Sequence, residues 1–203
     1  MRKTGDERRG EIVQAVIELA ATEGGAPPSA QAIADRVGIA QPTVFRHFST
    51  REKILQAVID WIAEHLLGLV GSIAAGSGTA AERLQQLISR QLEFIARHRG
   101  LPRMLFSERV HQESSLARAS VGKVMDGWTQ TVTALIAEGQ EDGSFRADLD
   151  AEETARLVLA MIQGLVMRWS ISNFASDLPG QAAVVWRLLE PALVRNSGDS
   201  GRS

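Results

Sequence analysis

The chain has 203 residues, 44% of them hydrophobic, and a formal net charge of −2 at neutral pH. It can bury a sizeable core, and its near-neutral balance excludes a protein that holds nucleic acid by bulk positive charge. It contains no Cys, which excludes disulfides and thiolate chemistry and suits a reducing compartment.

The N-terminus carries Arg2, Lys3, Arg8 and Arg9, interleaved with Asp6 and Glu7. No apolar run follows, so this is not a signal peptide, and no uncharged apolar stretch of about 18 residues marks a membrane span. A cytoplasmic protein with no membrane partner is expected. The four cations form either an arm that touches phosphate or the minor groove, or a disordered start. Ile12, Val16, Leu19 and Ala20 then fall at helical spacing over residues 6–22, and Gly24-Gly25 end the helix.

Residues 29–53 are the most informative segment. Ser29 caps a short helix whose apolar face is Ile33, Ala34 and Val37. Gly38 follows the last turn, where a left-handed conformation costs glycine little. Ile39 packs into the angle, and a second helix starts near Gln41 with Pro42 in its first turn. Val44 and Phe48 face inward. Gln41, Pro42, Thr43, Phe45, Arg46 and His47 face mostly outward. Ser49-Thr-Arg-Glu52 matches a capping box for the next helix. This is a helix-turn-helix, which places its second helix in the DNA major groove. Gln41 and Thr43 suit base edges, Pro42 and the Thr methyl suit a thymine methyl, and Arg46, His47, Arg51 and Lys53 suit phosphates.

With these motifs, residues 11–66 resemble the DNA-binding domain of the TetR family of bacterial repressors. The matching pieces are the long first helix, Ile33-Ala34 with Val37-Gly38-Ile39, and Gln41-Pro-Thr-Val-Phe-Arg-His-Phe48 followed by Ser49-Thr-Arg-Glu52. The resemblance implies that Gln41, Pro42, Thr43, Phe45 and His47 lie at the groove, with Ser29, Gln31 and Arg51 flanking it at the backbone. Two positions depart from the family pattern. Phe45 stands where Tyr is usual and lacks its hydroxyl. Ala40 stands where Ser or Thr is frequent and cannot cap the recognition helix, at a typical cost of about 1 kcal/mol.

A fourth helix over about 50–70 carries Ile54, Leu55, Val58, Ile59, Ile62 and Leu66 and connects the reader to the rest. Thr79-Ala-Ala-Glu82 is a second capping box, followed by Leu84, Leu87, Ile88, Gln91, Leu92 and Ile95 at helical spacing. Gly100 and Pro102 break that helix, and residues 101–111 read as a short one. The next starts near Ser114 or Ser115 and carries Val121, Val124, Met125, Trp128, Val132, Leu135 and Ile136. Asp150, with Glu153, caps another. No strand alternation appears. The expected fold is all-α, with about nine helices. It comprises a reader over residues 1–50, a larger helical domain over 51–195 for effector binding and dimerisation, and a disordered tail over 196–203.

The last two helices are apolar nearly all round, so each must be buried on more than one side. A two-fold dimer through a four-helix bundle satisfies both, and the family resemblance implies the same. Leu157, Met161, Leu165, Trp169, Val185 and Leu189 are the expected interface. The resemblance also implies a small-molecule pocket in the C-terminal domain. His65, Phe94, Met104, His111, Met125, Trp128, Gln163 and Met167 are its candidate lining for a small apolar or amphipathic effector.

Other chemistry finds little support. Glu108-Arg-Val-His111 has the Glu-x-x-His spacing of di-iron bundles, but those sites use two such motifs and two further carboxylates. No phosphate loop and no nucleophile elbow are present. The expectation is a non-enzymatic, cofactor-free, homodimeric regulator that reads a palindromic duplex and is released by an effector. The alternative is a helical adaptor of the same fold that has lost DNA reading.

Overall fold

The computed structural model of the chain describes residues 4–22, 28–106 and 115–194. Nine helices run through them: α1 Gly5–Thr22, α2 Ala30–Val37, α3 Gln41–His47, α4 Arg51–Ala74, α5 Ala80–Arg97, α6 Gly100–Leu105, α7 Ser115–Glu141, α8 Ala151–Ile171 and α9 Gln181–Leu193. Within α4, residues Ala63–Leu67 form a π-helical turn. The described residues form no strand, and one isolated bridge joins Phe145 to Val194. The chain is all-α, as its periodicity implies.

The chain divides into two compact units. Of the described residues, one holds those within 4–65 and 97–124, the other those within 66–96 and 125–194. The first is built on α1, which packs against α2, α3, α4 and α6. Its start carries a capping box that the sequence reading did not single out. The Thr4 N–H donates to the Glu7 carboxylate at 2.7 Å, and the Glu7 N–H donates to the Thr4 hydroxyl at 3.2 Å. Ile12, Val13, Val16, Ile17 and Ala20 are buried along one face of α1. Arg8 and Arg9 are helical, so this half of the expected arm is ordered on α1, where Arg8 pairs with Glu11 at 2.8 Å. Arg2 and Lys3 lie outside the described residues, as do Gly24-Gly25, the Glu108–His111 motif and the expected tail.

The start of α4 corrects one expectation. Thr50, not Ser49, is its cap, and the Thr50 hydroxyl accepts from the Lys53 N–H at 3.2 Å. Thr50 is the last residue in extended conformation, so its oxygen, one residue further on, meets the free N–H groups. α4 is long and apolar enough by composition to cross a membrane. Asp60 and Glu64 interrupt it, and its Val58, Ile59, Ile62, Val70 and Ile73 are buried inside the protein.

The second unit is organised around Leu84, Leu87, Ile88, Trp128, Leu135, Phe145, Ile162 and Trp186, all in one buried cluster. The capping box read at Thr79 and the cap read at Asp150 are both formed. The Glu82 N–H donates to the Thr79 hydroxyl, whose backbone N–H donates to the Glu82 carboxylate, and Asp150 accepts from the Glu153 N–H at 2.8 Å. Two polar side chains enter the core with partners. Gln91 accepts from the Trp128 indole at 2.8 Å, and Arg83 pairs with Glu138 and donates to the Ala74 carbonyl at 2.5 Å.

Burial sets three of the expected interface residues apart. Trp169, Val185 and Leu189 are buried in the core of the chain itself, and the Trp169 indole donates to the Ser176 carbonyl at 2.9 Å. The apolar residues left outward on these helices are Leu157, Met167, Ile171, Val184 and Leu188. Met161 and Leu165 are half-buried. A helix that is apolar nearly all round spends one half of its surface on its own core. Sequence periodicity does not say which half.

Candidate nucleic-acid interface

The turn between α2 and α3 is set by backbone chemistry. Ser29 caps α2 by accepting from the Ala32 N–H at 3.0 Å. Gly38 takes φ 73° and ψ 41°, the left-handed conformation. Its N–H donates to the Asp35 carbonyl and the Ile39 N–H to the Ala34 carbonyl, the bond pair of a Schellman ending. α3 then begins with Pro42 in its first turn and no side-chain cap from Ala40.

Val44 and Phe48 anchor α3 in the core at 0% and 5% exposure, while Phe45 is 41% exposed. Gln41, Pro42 and Arg46 are exposed, and Thr43 and His47 are half-exposed. One face of α3 therefore presents amide, hydroxyl, imidazole, aromatic and guanidinium groups to solvent. That set can bond base edges and phosphates.

Other expected contacts are partly engaged within the protein. The Gln31 amide donates to Asp35 at 2.7 Å. Arg36, which is not among the expected contacts, is ion-paired with Glu18. Arg51 donates to the Pro28 carbonyl at 3.2 Å, tying the start of α4 to the segment before α2. Lys53 is exposed on the first turn of α4. Arg9 is a residue that the sequence reading assigned only to a basic arm. From α1 it donates to the His47 carbonyl at 3.1 Å, and its guanidinium lies 5.4 Å from the centroid of the Phe48 ring.

The candidate effector residues are not brought together at one place. Met125 and Gln163 share an open cleft of about 480 Å³ in the second unit, between α7 and α8, with Thr129, Gln130, Leu159 and Arg156 also on its walls. Trp128 and Phe94 are buried, and Met167 is exposed. Met104 belongs to the first unit, where it lines a void of about 20 Å³ with Val16, Ile33 and Leu55. That void has room for about one water molecule. His65 stacks on Trp61, ring centroids 4.1 Å apart, and His98 meets the same indole edge-on at 5.1 Å. His111 lies outside the described residues. Among those residues, no three metal-capable side chains gather.

A capped helix, a glycine turn and a solvent-facing second helix on a three-helix support define a helix-turn-helix DNA-binding regulator. Residues 12–58 match the model of the tetR family of bacterial regulatory proteins, and residues 77–170 match that of the tetracyclin repressor-like C-terminal domain. The chain belongs to the TetR family. It is 23% identical over 174 residues, 86% of this chain and 88% of the relative, to the nucleoid occlusion factor SlmA of Marinomonas sp.. A Saccharomonospora viridis protein crystallised with choline superposes with a TM-score of 0.81 at 24% identity, covering 94% of this chain and 100% of that one. The transcriptional regulator FadR from Bacillus subtilis, in complex with stearoyl-CoA, superposes with a TM-score of 0.76 at 21% identity, covering 89% and 96%.

Proposed function

We propose that this protein is a homodimeric, sequence-specific repressor whose grip on DNA is released by a small molecule. The observation that carries the reading is the solvent face of α3, where Gln41, Pro42, Thr43, Phe45, Arg46 and His47 follow one another over a buried Val44 and Phe48. Gln41 and Thr43 read base edges. Arg46, His47 and Lys53 meet phosphates, with Arg51, Gln31 and Ser29 at the flank. A second copy supplies the other half-site, so the target is a palindrome. In the cell the protein stands with its DNA in the cytoplasm.

The dimer forms through α8 and α9. Leu157, Ile171, Val184 and Leu188 are exposed apolar side chains on these two helices. Together with the half-buried Met161 and Leu165 they supply the apolar face that such an interface buries.

The effector enters the cleft of Met125, Leu159, Gln130, Thr129 and Gln163. Its walls join the apolar Met125 and Leu159 to amides and to the charged Asp126, Glu152 and Arg156, a mixture that suits an amphipathic molecule. The solved relatives holding stearoyl-CoA and choline show that this fold accepts ligands of different chemistry. Such a ligand releases DNA only if it binds the non-operator state more tightly.

Selection from a random duplex pool at near-physiological salt tests the reading. A recovered palindrome supports it. Folded protein that recovers nothing transfers the case to the adaptor alternative, which Ala40 and Phe45 favour. The relatives named nucleoid occlusion factors favour a second reading, in which the bound sites serve the nucleoid and not a promoter. Mapping occupied sites on the chromosome separates the two. A few promoter sites support the repressor, and many dispersed sites support the second reading.

A further inference from the structure

We propose that Arg9 is a positioning residue for sequence reading: from α1 it fixes the C-terminal end of α3 in the attitude that presents Gln41 and Thr43 to DNA. The proposal rests on the DNA-reading assignment above. Two contacts carry it. Arg9 Nη2 donates to the His47 carbonyl at 3.1 Å, and the guanidinium lies 5.4 Å from the centroid of the Phe48 ring. His47 is the last residue of α3 and Phe48 the one that leaves it. Carbonyls of a last helical turn lack intrahelical donors and carry the negative end of the helix dipole, so a cation placed there is favoured. The Phe48 ring is itself fixed, at 5% exposure. Arg9 is therefore tied to a rigid support and grips the helix end through it.

α3 needs such a grip. It has seven residues, and so short a helix does not persist on its own. Its N-terminal end has no side-chain cap, because Ala40 has no oxygen to offer. Its orientation is thus decided by tertiary contacts, namely Val44 and Phe48 in the core and Arg9 at the C-terminal end. A guanidinium lies flat near a ring and donates sideways at the same time. An ammonium cannot do both with the same geometry.

The test uses the full-length protein, with amide hydrogen exchange read by NMR and binding to two duplexes. In R9Q the Phe48 amide, which donates to the Val44 carbonyl at 2.9 Å, exchanges several-fold faster than in wild type. The α2 amides stay unchanged, and R9K falls between. R9Q also loses about two- to fivefold in affinity for the selected operator, the loss expected for one solvent-exposed charge-assisted bond, and none for a scrambled duplex. Unchanged exchange at Phe48 overturns the proposal. So does a rise that includes the α2 amides, since that marks loss of stability in the whole unit. Equal weakening on both duplexes, with a salt slope shallower by about one, makes Arg9 a phosphate contact and also overturns it. If wild type shows no sequence preference, the DNA-reading assignment falls, and the exchange measurement still decides whether Arg9 holds α3.

Discussion

Gly100 lies so close to Ile17 that a Cβ on it would stand 1.8 Å from the Ile17 carbonyl oxygen. α6 therefore meets α1 backbone against backbone, at a contact that admits no side chain. Gly100→Ala must push the two helices apart. The expected cost is about 1–3 kcal/mol or more, as for other overpacked sites. Thermal unfolding followed by circular dichroism measures it, and an unchanged midpoint would show that the helices separate freely.

The pairing of Trp128 with Gln91 gives a second prediction. Both side chains are buried, so Gln91→Leu leaves the indole N–H without its 2.8 Å acceptor. The expected loss is about 1–3 kcal/mol of stability. In Gln91→Leu with Trp128→Phe the orphaned donor is gone, and the double variant should be more stable than the two single losses summed. Chemical denaturation of all four proteins forms the cycle. Strict additivity would count against the bond.

At the turn, Gly38 holds a positive φ of 73°, and a Cβ added to it would meet open space. Gly38→Ala is therefore strained by conformation and not by clash. A loss of roughly 1–2 kcal/mol is expected. Gly38→Asn should lose less, because Asn tolerates the left-handed region better than Ala. Reversal of that order in equilibrium unfolding would contradict the turn geometry.

On the face of α3, Gln41→Ala is expected to cost about 1–3 kcal/mol and to relax preference at a single base position. Lys53→Ala should weaken all duplexes alike and reduce the salt slope by about one. Titrations of operator and scrambled duplex over a range of salt separate the two behaviours. If the two substitutions behave alike, the division into base reader and phosphate contact does not hold.

For assembly, Leu157→Asp and Leu188→Asp change residues that are 68% and 66% exposed in the subunit. Each should shift sedimentation from dimer to monomer while leaving the subunit helical. Trp169→Ala acts differently, since Trp169 lies inside its own subunit and its loss should lower stability by about 3–5 kcal/mol. A dimer that persists in both Asp variants would place the interface elsewhere.

The interior of the reader was legible from short spacings because its signals are local. Ser29 three residues before Ala32, glycine after a helix, proline in a first turn and valine four before phenylalanine each act within one or two turns of chain. The capping box at Thr79 and the cap at Asp150 were readable for the same reason, whereas the cap at Ser49 was misplaced by one residue because Thr50 offers the same hydroxyl. The nine helices followed from periodicity. What periodicity could not give is direction. It showed that α8 and α9 are apolar nearly all round, yet only packing decided that Trp169, Val185 and Leu189 turn inward and Leu157 and Leu188 outward. Nor could it show that Met125 and Gln163 share a cleft while Met104 lines a small void in the other unit. The contact of Arg9 with the end of α3 spans 38 residues of chain. No local pattern encodes it, because the two ends meet only after α1 has packed against the helices that follow.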